Sequence, residues 1–154
     1  GPVVKIDEAD LPRLANIHYL GGKSYDELPA YIGGWDVAMM PFALNESTRY
    51  ISPTKTPEYL AAGRPVVSTA IRDVVRPYGE NGLVSIAGDA REFVEAIDRA
   101  LTGNDHERRA KADEFLSGMS WNSTFEAMSD LIGEAISKNR GTSAKSVSYA
   151  GEFT

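Results

Sequence analysis

A lysine and a glutamate three residues apart, Lys55 and Glu58, have the types and spacing to hold an anionic ligand. They lie in the stretch SPTKTPEYLAAGRPVVST, residues 52–69. A lysine in the first turn of a helix is unfavourable, because its positive charge lies at the positive end of the helix dipole. An anion bound there would offset this positive charge. Residues three apart share one face of a helix, so Glu58 would lie one turn deeper, where a carboxylate can accept hydrogen bonds from sugar hydroxyls.

The same two residues have an ordinary structural interpretation. A solvated Lys–Glu pair on a helix surface stabilises the helix by only about 0.2–0.5 kcal/mol and has no function. The spacing alone does not separate this pair from a ligand site.

Further polar residues precede the pair, after the apolar run that ends at Phe42. They are Asn45, Glu46, Thr48, Arg49, Ser52 and Thr54. Arg49 is suited to clamp a diphosphate, because its guanidinium can make two parallel hydrogen bonds to an oxyanion. The sequence therefore predicts a site for a phosphorylated ligand between residues 45 and 58.

The composition restricts the class of protein. The chain has 154 residues, 42% of them hydrophobic and 25% charged, which fits one globular domain. A net charge of −6 gives no global support for nucleic-acid binding. No cysteine is present, which excludes disulfides and thiolate metal sites, and two distant histidines make no metal constellation. We expect a cytoplasmic protein that is not integral to a membrane.

Alternating strands and helices must position these residues. Apolar runs predict strands over 16–22, 35–42, 65–68 and 83–86, and helical periodicity predicts helices over 25–32, 54–62, 90–101, 106–116 and from 121 onwards. This order predicts an α/β fold, a Rossmann-like parallel sheet flanked by helices, with ligands bound beyond the carboxyl ends of the strands. We expect one domain over residues 1–139 and a flexible tail or linker over 140–154.

Several of these segments together resemble a known family. PTKTPEYLAAGRPVVST is similar to the donor-site motif of retaining GT-B glycosyltransferases in the glycogen-synthase-like superfamily. NIHYLGG, YDELPAYIGGWDVAMMPF and GLVSIAGDAREFVEAIDRAL resemble other segments of the C-terminal domain in these enzymes, so that the match covers residues 16–101.

The resemblance implies a function and roles for particular residues. It implies transfer of a sugar from a nucleoside-diphosphate sugar, with a UDP-sugar favoured, to an unknown acceptor. Nothing in the sequence calls for a metal, and we expect no cofactor. Glu58 would bind the donor ribose, and Lys55, Thr54 and the backbone amides of residues 54–56 would face the diphosphate. Ser52, Arg49 and Asn45 complete the expected donor site.

Two departures from the family pattern affect these expectations. The family commonly has another glutamate eight positions before the ribose-binding one, and here that position is Tyr50. Asn45 and Glu46, further upstream, could take its place. The resemblance also begins partway into the C-terminal domain, so we expect the acceptor domain to lie in a longer parent chain and this fragment to be inactive alone.

Two other functions remain compatible with the same residues. One is a nucleotide-sugar epimerase of the same architecture, and the other is a non-catalytic Rossmann-like interaction module. Among weaker candidates, we expect His18 to be half-buried and structural, and His106 to be solvent-exposed. Tyr25 and Leu28 lie where the family's base pocket would be, although both also fit a core stripe. Ser68 and Thr69, at a strand end, could face the site or form an ordinary turn.

Overall fold

The structure, a computed structural model, describes residue 3 and residues 6–147 of the chain, with side chains as far as residue 139. The chain divides into two compact units, residues 1–112 and residues 113–154. The predicted tail over 140–154 falls partly outside the described residues, and helix continues to Val147 within it.

A three-stranded parallel sheet lies at the centre of the first unit. Its strands are β1 (Ala38–Met40), β2 (Val66–Thr69) and β3 (Ser85–Ala87), in the order β1-β2-β3. Ala38 is in register with Val66, and Val67 with Ser85. Val66, Val67 and Ser68 of the central strand are almost inaccessible to solvent, as expected for a parallel strand covered on both faces. The predicted α/β class is confirmed.

Six α-helices are described along the chain. They are α1 (Leu28–Gly33), α2 (Lys55–Ala61), α3 (Arg72–Val74), α4 (Ala90–Thr102), α5 (His106–Ser117) and α6 (Trp121–Val147). Short 3₁₀ turns cover Glu8–Asp10 and Tyr25–Glu27. No helix in the described part of the chain has both the length and the apolarity needed to cross a bilayer.

Local side-chain signals set several of the helix starts. Ser24 and Glu27 form a reciprocal capping box before α1. The carboxylate of Asp89 accepts a hydrogen bond from the amide of Glu92 at the start of α4, with an N···O distance of 2.8 Å. The helices predicted over 25–32 and 90–101 therefore begin close to where the sequence places them, each at a residue of a type that favours helix starts.

The end of α2 fixes the angle at which the chain enters β2. Gly63 has a φ of +70°, and the amides of Gly63 and Arg64 donate to the carbonyls of Leu60 and Tyr59. This is the Schellman arrangement, in which glycine supplies the left-handed residue. The Arg64 guanidinium then donates to the Trp35 carbonyl over 2.6 Å, which ties this turn to the segment before β1.

The strand predicted over residues 16–22 is wrong. These residues have no regular structure, and Ile17, Tyr19 and Leu20 are exposed. A strand needs a neighbouring backbone to complete its hydrogen bonds, and β1 pairs only with β2 among the described residues. The alternating apolar pattern was a local signal without the partner that a strand requires.

The segment after β2 is more ordered than the sequence predicts. It forms α3 and then a π turn over Val75–Gly79, in which the amide of Glu80 donates to the carbonyl of Val75, five residues earlier. Val74 and Tyr78 are buried by this segment. Pro77 has no amide proton, so it cannot complete the narrower α-helical pattern, and this favours the wider turn.

In the second unit, α6 carries an apolar stripe at helical spacing, formed by Trp121, Phe125, Met128, Ile132 and Ile136. Ser120 caps it, since its hydroxyl accepts a hydrogen bond from the amide of Ser123 over 3.0 Å. The stripe residues are exposed rather than buried, with Trp121 90% and Phe125 70% accessible.

We predict that Gly79→Ala destabilises the first unit. A Cβ atom at this position would lie 2.8 Å from Cγ1 of Ile86, a side-chain atom next to the backbone of β3 that cannot easily move. We expect a loss of about 1–3 kcal/mol in the free energy of unfolding, the usual cost of overpacking. Chemical denaturation measures it.

The control is Gly33→Ala, at the end of α1, where an added Cβ would meet nothing within 4 Å. This variant should unfold at the same denaturant concentration as the wild type, or slightly above it. Equal stability of the two variants would contradict the proposed contact between the π turn and β3.

We predict that Asp105→Asn makes stability less sensitive to acid. The hydrogen bond from Arg108 holds the pKa of Asp105 below its ordinary value of 3.8, and the two side chains form an ion pair at 2.6 Å. A lowered folded-state pKa gives stability that is present above about pH 4 and is lost as the pH falls through the lowered value. Thermal unfolding between pH 7 and pH 2 should show a smaller decline for the variant than for the wild type.

Asp98→Asn, which alters an exposed carboxylate on α4 that forms no ion pair with a described residue, is the matched control. Its acid profile should follow the wild type. An Asp105→Asn profile that also follows the wild type would show that the ion pair does not contribute.

Candidate functional site

Two cavities in the first unit divide the residues that the sequence places in one site. Glu58 lines a cavity between α1 and α2, whereas Asn45 and Arg49 line a second cavity beyond the carboxyl ends of β1 and β2. The lining residues of the two cavities do not overlap.

The cavity between α1 and α2, here called the helix cavity, has a volume of about 390 Å³ and is mostly apolar. Its lining consists of Tyr25, Leu28, Pro29, Ile32, Gly33, Glu58, Ala61 and Ala62. The Tyr25 side chain is 79% exposed, so the expectation that it belongs to a core stripe is wrong. Small residues on α2 and an exposed ring on the other side leave room for a planar group, and Glu58 is the charged residue of the lining.

Glu58 and Lys55 do not form the surface pair that their spacing allows. Both are exposed, and neither forms an ion pair or a side-chain hydrogen bond with a described residue. The carboxylate of Glu58 is therefore available to accept hydrogen bonds at the wall of the helix cavity. Burial raises the pKa of the adjacent Tyr59, and the nearby Glu58 carboxylate raises it further.

Ser52, Thr54 and Lys55 lie on the exposed connection into α2 and line neither cavity. Thr54 does not cap α2 with its side chain, and Lys55 begins the helix. The amide of Thr56 already donates to the carbonyl of Pro53, so it is not free for a phosphate. Because α2 has only seven residues, its dipole is small. The cationic side chain of Lys55 would therefore contribute more than the dipole to the attraction of an anion.

The loop after β1 is held in shape by Asn45 and Thr48. The backbone amide of Asn45 donates to Oγ1 of Thr48 over 3.2 Å, and the backbone amide of Thr48 donates to the side-chain Oδ1 of Asn45 over 3.1 Å. The Thr48 hydroxyl also donates to the carbonyl of Ala43. The side-chain oxygen of Asn45 thus already accepts a hydrogen bond, and only the side-chain NH₂ group remains for a ligand.

The second cavity, here called the strand-end cavity, has a volume of about 580 Å³. It is lined by Leu44, Asn45, Glu46, Thr48, Arg49, Ala70, Ile71, Arg72, Val75, Arg76 and Glu80. It lies beyond the carboxyl ends of β1 and β2, at the edge where the sequence predicts that a ligand binds. The Arg49 guanidinium lies over the ring of Tyr50, 5.3 Å from its centroid.

Sequence reasoning missed Arg72, Arg76 and Glu80, because it treated the segment after β2 as a plain loop. Two arginines four residues apart directly after a buried strand were the available signal.

The structure also shows where the weaker candidates lie. His18 is exposed in an irregular segment rather than half-buried in a strand. Ser68 is fully buried, and its hydroxyl donates to the carbonyl of Thr69 over 2.9 Å, so it does not face a site. The hydroxyl oxygen of Thr69 is buried as well. His106 is exposed, as expected.

No group of three or more potential metal ligands occurs among the described residues. The side chains suited to a ligand are instead carboxylates, arginines and one lysine, which bind hydroxyls and oxyanions.

Comparison with known proteins assigns the family. The model of the family described as "Glycosyl transferases group 1" matches residues 3–103, more than half of the chain. The chain is 26% identical over 126 residues to TuaH of Bacillus subtilis (strain 168), a protein named as a teichuronic acid biosynthesis glycosyltransferase. The alignment covers 80% of this chain and 32% of that relative, so the chain spans about a third of its length. No solved structure matches. With its α/β fold and this family match, the chain belongs to the group 1 glycosyl transferases.

Proposed function

We propose that this chain is the donor-binding half of a retaining GT-B glycosyltransferase and that it binds a nucleoside-diphosphate sugar, with a UDP-sugar favoured. The observation that carries this proposal is the position of Glu58, an exposed carboxylate without an ion-pair partner among the described residues, in the wall of an apolar cavity. A nucleoside has the matching chemistry, a flat base joined to a ribose with two neighbouring hydroxyls.

The helix cavity accounts for both parts of a nucleoside. The exposed ring of Tyr25 offers a face on which the base stacks, and Leu28 and Ile32 supply apolar contact. The ribose hydroxyls donate hydrogen bonds to the carboxylate oxygens of Glu58. Hydrogen bonds to a charged group contribute about 1.5–3 kcal/mol each, so Glu58 selects a ligand that carries these hydroxyls.

Lys55 is in the turn before Glu58 and is suited to the diphosphate. Its ammonium group has no ion-pair partner among the described residues, and the hydroxyls of Ser52 and Thr54 lie on the same exposed connection. During transfer, negative charge develops on the departing diphosphate, and a nearby cation lowers the energy of that state. In this proposal Lys55 stabilises the leaving group, while Ser52 and Thr54 donate hydrogen bonds to it.

The proposed enzyme is longer than this chain. The relative to which the chain is similar has about three times the aligned length, since the alignment covers 32% of it. We propose that the acceptor-binding domain lies in the rest of the parent protein and that this fragment binds the donor but does not transfer its sugar.

We predict that Glu58→Gln weakens UDP binding by reducing recognition of the ribose. We expect a Kd about 10–100-fold higher, which corresponds to the loss of charged hydrogen bonds. Calorimetric titration with UDP and with 2′,3′-dideoxy-UDP tests the assigned role directly. The wild type should bind UDP more tightly than the dideoxy compound, and this preference should be smaller in the variant, because the two ligands differ only in the hydroxyls that donate hydrogen bonds to Glu58.

Glu95→Gln is the control, an exposed glutamate on α4 outside both cavities. It should bind UDP like the wild type. If the wild type does not bind UDP, or if Glu58→Gln keeps its full preference for UDP over the dideoxy compound, the assignment of the ribose site is wrong. Complete absence of nucleotide binding would favour a non-catalytic interaction module.

We predict that Lys55→Ala weakens binding of UDP about 10-fold but leaves binding of uridine unchanged, because the lysine contacts only the phosphates. Lys111→Ala, which removes an exposed lysine on α5, is the charge-matched control. Titrations of UDP and uridine measure both effects. Equal losses for UDP and uridine would mean that Lys55 acts on the nucleoside or on the fold rather than on the diphosphate.

A further inference from the structure

Three arginines line the strand-end cavity, and none has an ion-pair partner in the described part of the chain. They are Arg49, from the loop after β1, and Arg72 and Arg76, from α3 and the π turn. The ion pairs of the described residues all lie on other segments. Even with Glu46 and Glu80 in the same lining, the cavity has an excess of positive charge in a chain of net charge −6, and this excess favours an anionic ligand.

The backbone of the segment that carries Arg72 and Arg76 is held by hydrogen bonds and by packing. The π turn that carries Arg76 is closed by the hydrogen bond from the Glu80 amide to the Val75 carbonyl, at 2.9 Å. It also contacts β3 through the close approach of Gly79 and Ile86. A π turn inside a helical segment is uncommon and is frequent at functional sites.

The charge of the cavity lining restricts the ligand. Glu46 and Glu80 line the same cavity and offset two of the three arginines, which leaves a net charge of about +1. This balance suits a singly charged carboxylate better than a doubly charged phosphate. The two glutamates can also accept hydrogen bonds from hydroxyl groups, so the lining fits a hydroxylated ligand with one carboxylate.

We propose that the strand-end cavity binds a uronic acid and that Arg49, Arg72 and Arg76 recognise its carboxylate. This inference rests on the proposed function, in which the nucleoside occupies the separate helix cavity. The sugar moiety at the strand-end cavity then determines specificity, because a neutral hexose leaves the net positive charge of the lining uncompensated. The uronate belongs to the donor sugar or to the acceptor, and the experiment distinguishes these sources.

The first part of the experiment, the donor arm, tests whether the uronate belongs to the donor sugar. It compares UDP, UDP-glucose and UDP-glucuronate by calorimetric titration. We expect the wild type to bind UDP-glucuronate at least about 10-fold more tightly than UDP-glucose. In Arg72→Gln/Arg76→Gln this preference should fall below about 3-fold, while the affinity for UDP itself stays unchanged. Arg91→Gln/Arg99→Gln, on α4, removes the same charge outside the cavity and should keep the full preference.

The acceptor arm compares methyl glucuronide with methyl glucoside by NMR titration and needs no nucleotide. If the donor arm shows no preference, the carboxylate is assigned to the acceptor by the following result. The glucuronide causes larger chemical-shift changes than the glucoside at residues 44–49 and 70–80, and this difference is abolished in Arg72→Gln/Arg76→Gln. The arginines in question are exposed, so these variants should fold like the wild type, and thermal unfolding checks this.

Two results would overturn the inference. One is equal response to charged and neutral sugars in both arms. The other is weaker UDP binding in Arg72→Gln/Arg76→Gln, which would mean that the arginines bind the diphosphate. If the wild type does not bind UDP at all, the proposed function fails separately, and the acceptor arm still decides whether the arginines recognise a uronate.

Discussion

The parallel pairing of β2 with both β1 and β3 is the constraint on which the first unit depends. Because β2 is covered on both faces, its backbone can satisfy its hydrogen bonds only through its two neighbours. Parallel pairing also brings the ends of β1 and β2 to the same edge of the sheet, where the loop after each strand contributes to one cavity. The arginines of that cavity meet there although more than twenty residues separate Arg49 from Arg72.

Local signals in the sequence were sufficient for some elements. The helix α2, its glycine end at Gly63 and the strand that follows were predictable, because each depends on residues within a few positions of one another. The caps at Ser24, Asp89 and Ser120 were predictable for the same reason. The strand over residues 16–22 was not, because its alternating pattern gives no information about whether a neighbouring strand exists. The π turn was also missed, since wide turns lack a distinctive sequence pattern.

The candidate site was partly predictable in the same sense. Residues 45–49 line a cavity at the edge where the sequence predicts a ligand site, because they follow a buried strand. The division of residues 45–58 between two cavities depends on how α1 packs beside α2 and how the chain folds after β2, which are long-range features. For this reason the sequence does not decide between a core and a site position for Tyr25, which is exposed, or between a site and a turn position for Ser68, which is buried. The roles of Ser52, Thr54 and Lys55 toward a diphosphate stay predictions.

The hydrogen bonds between Asn45 and Thr48 have a consequence for ligand recognition. They fix the loop backbone immediately before Arg49 without help from a ligand. A loop that is ordered beforehand loses less conformational entropy when it binds, so more of the interaction energy is expressed as affinity. A flexible loop with the same residues would offer the same charge and hydrogen-bonding groups but would bind more weakly and less selectively.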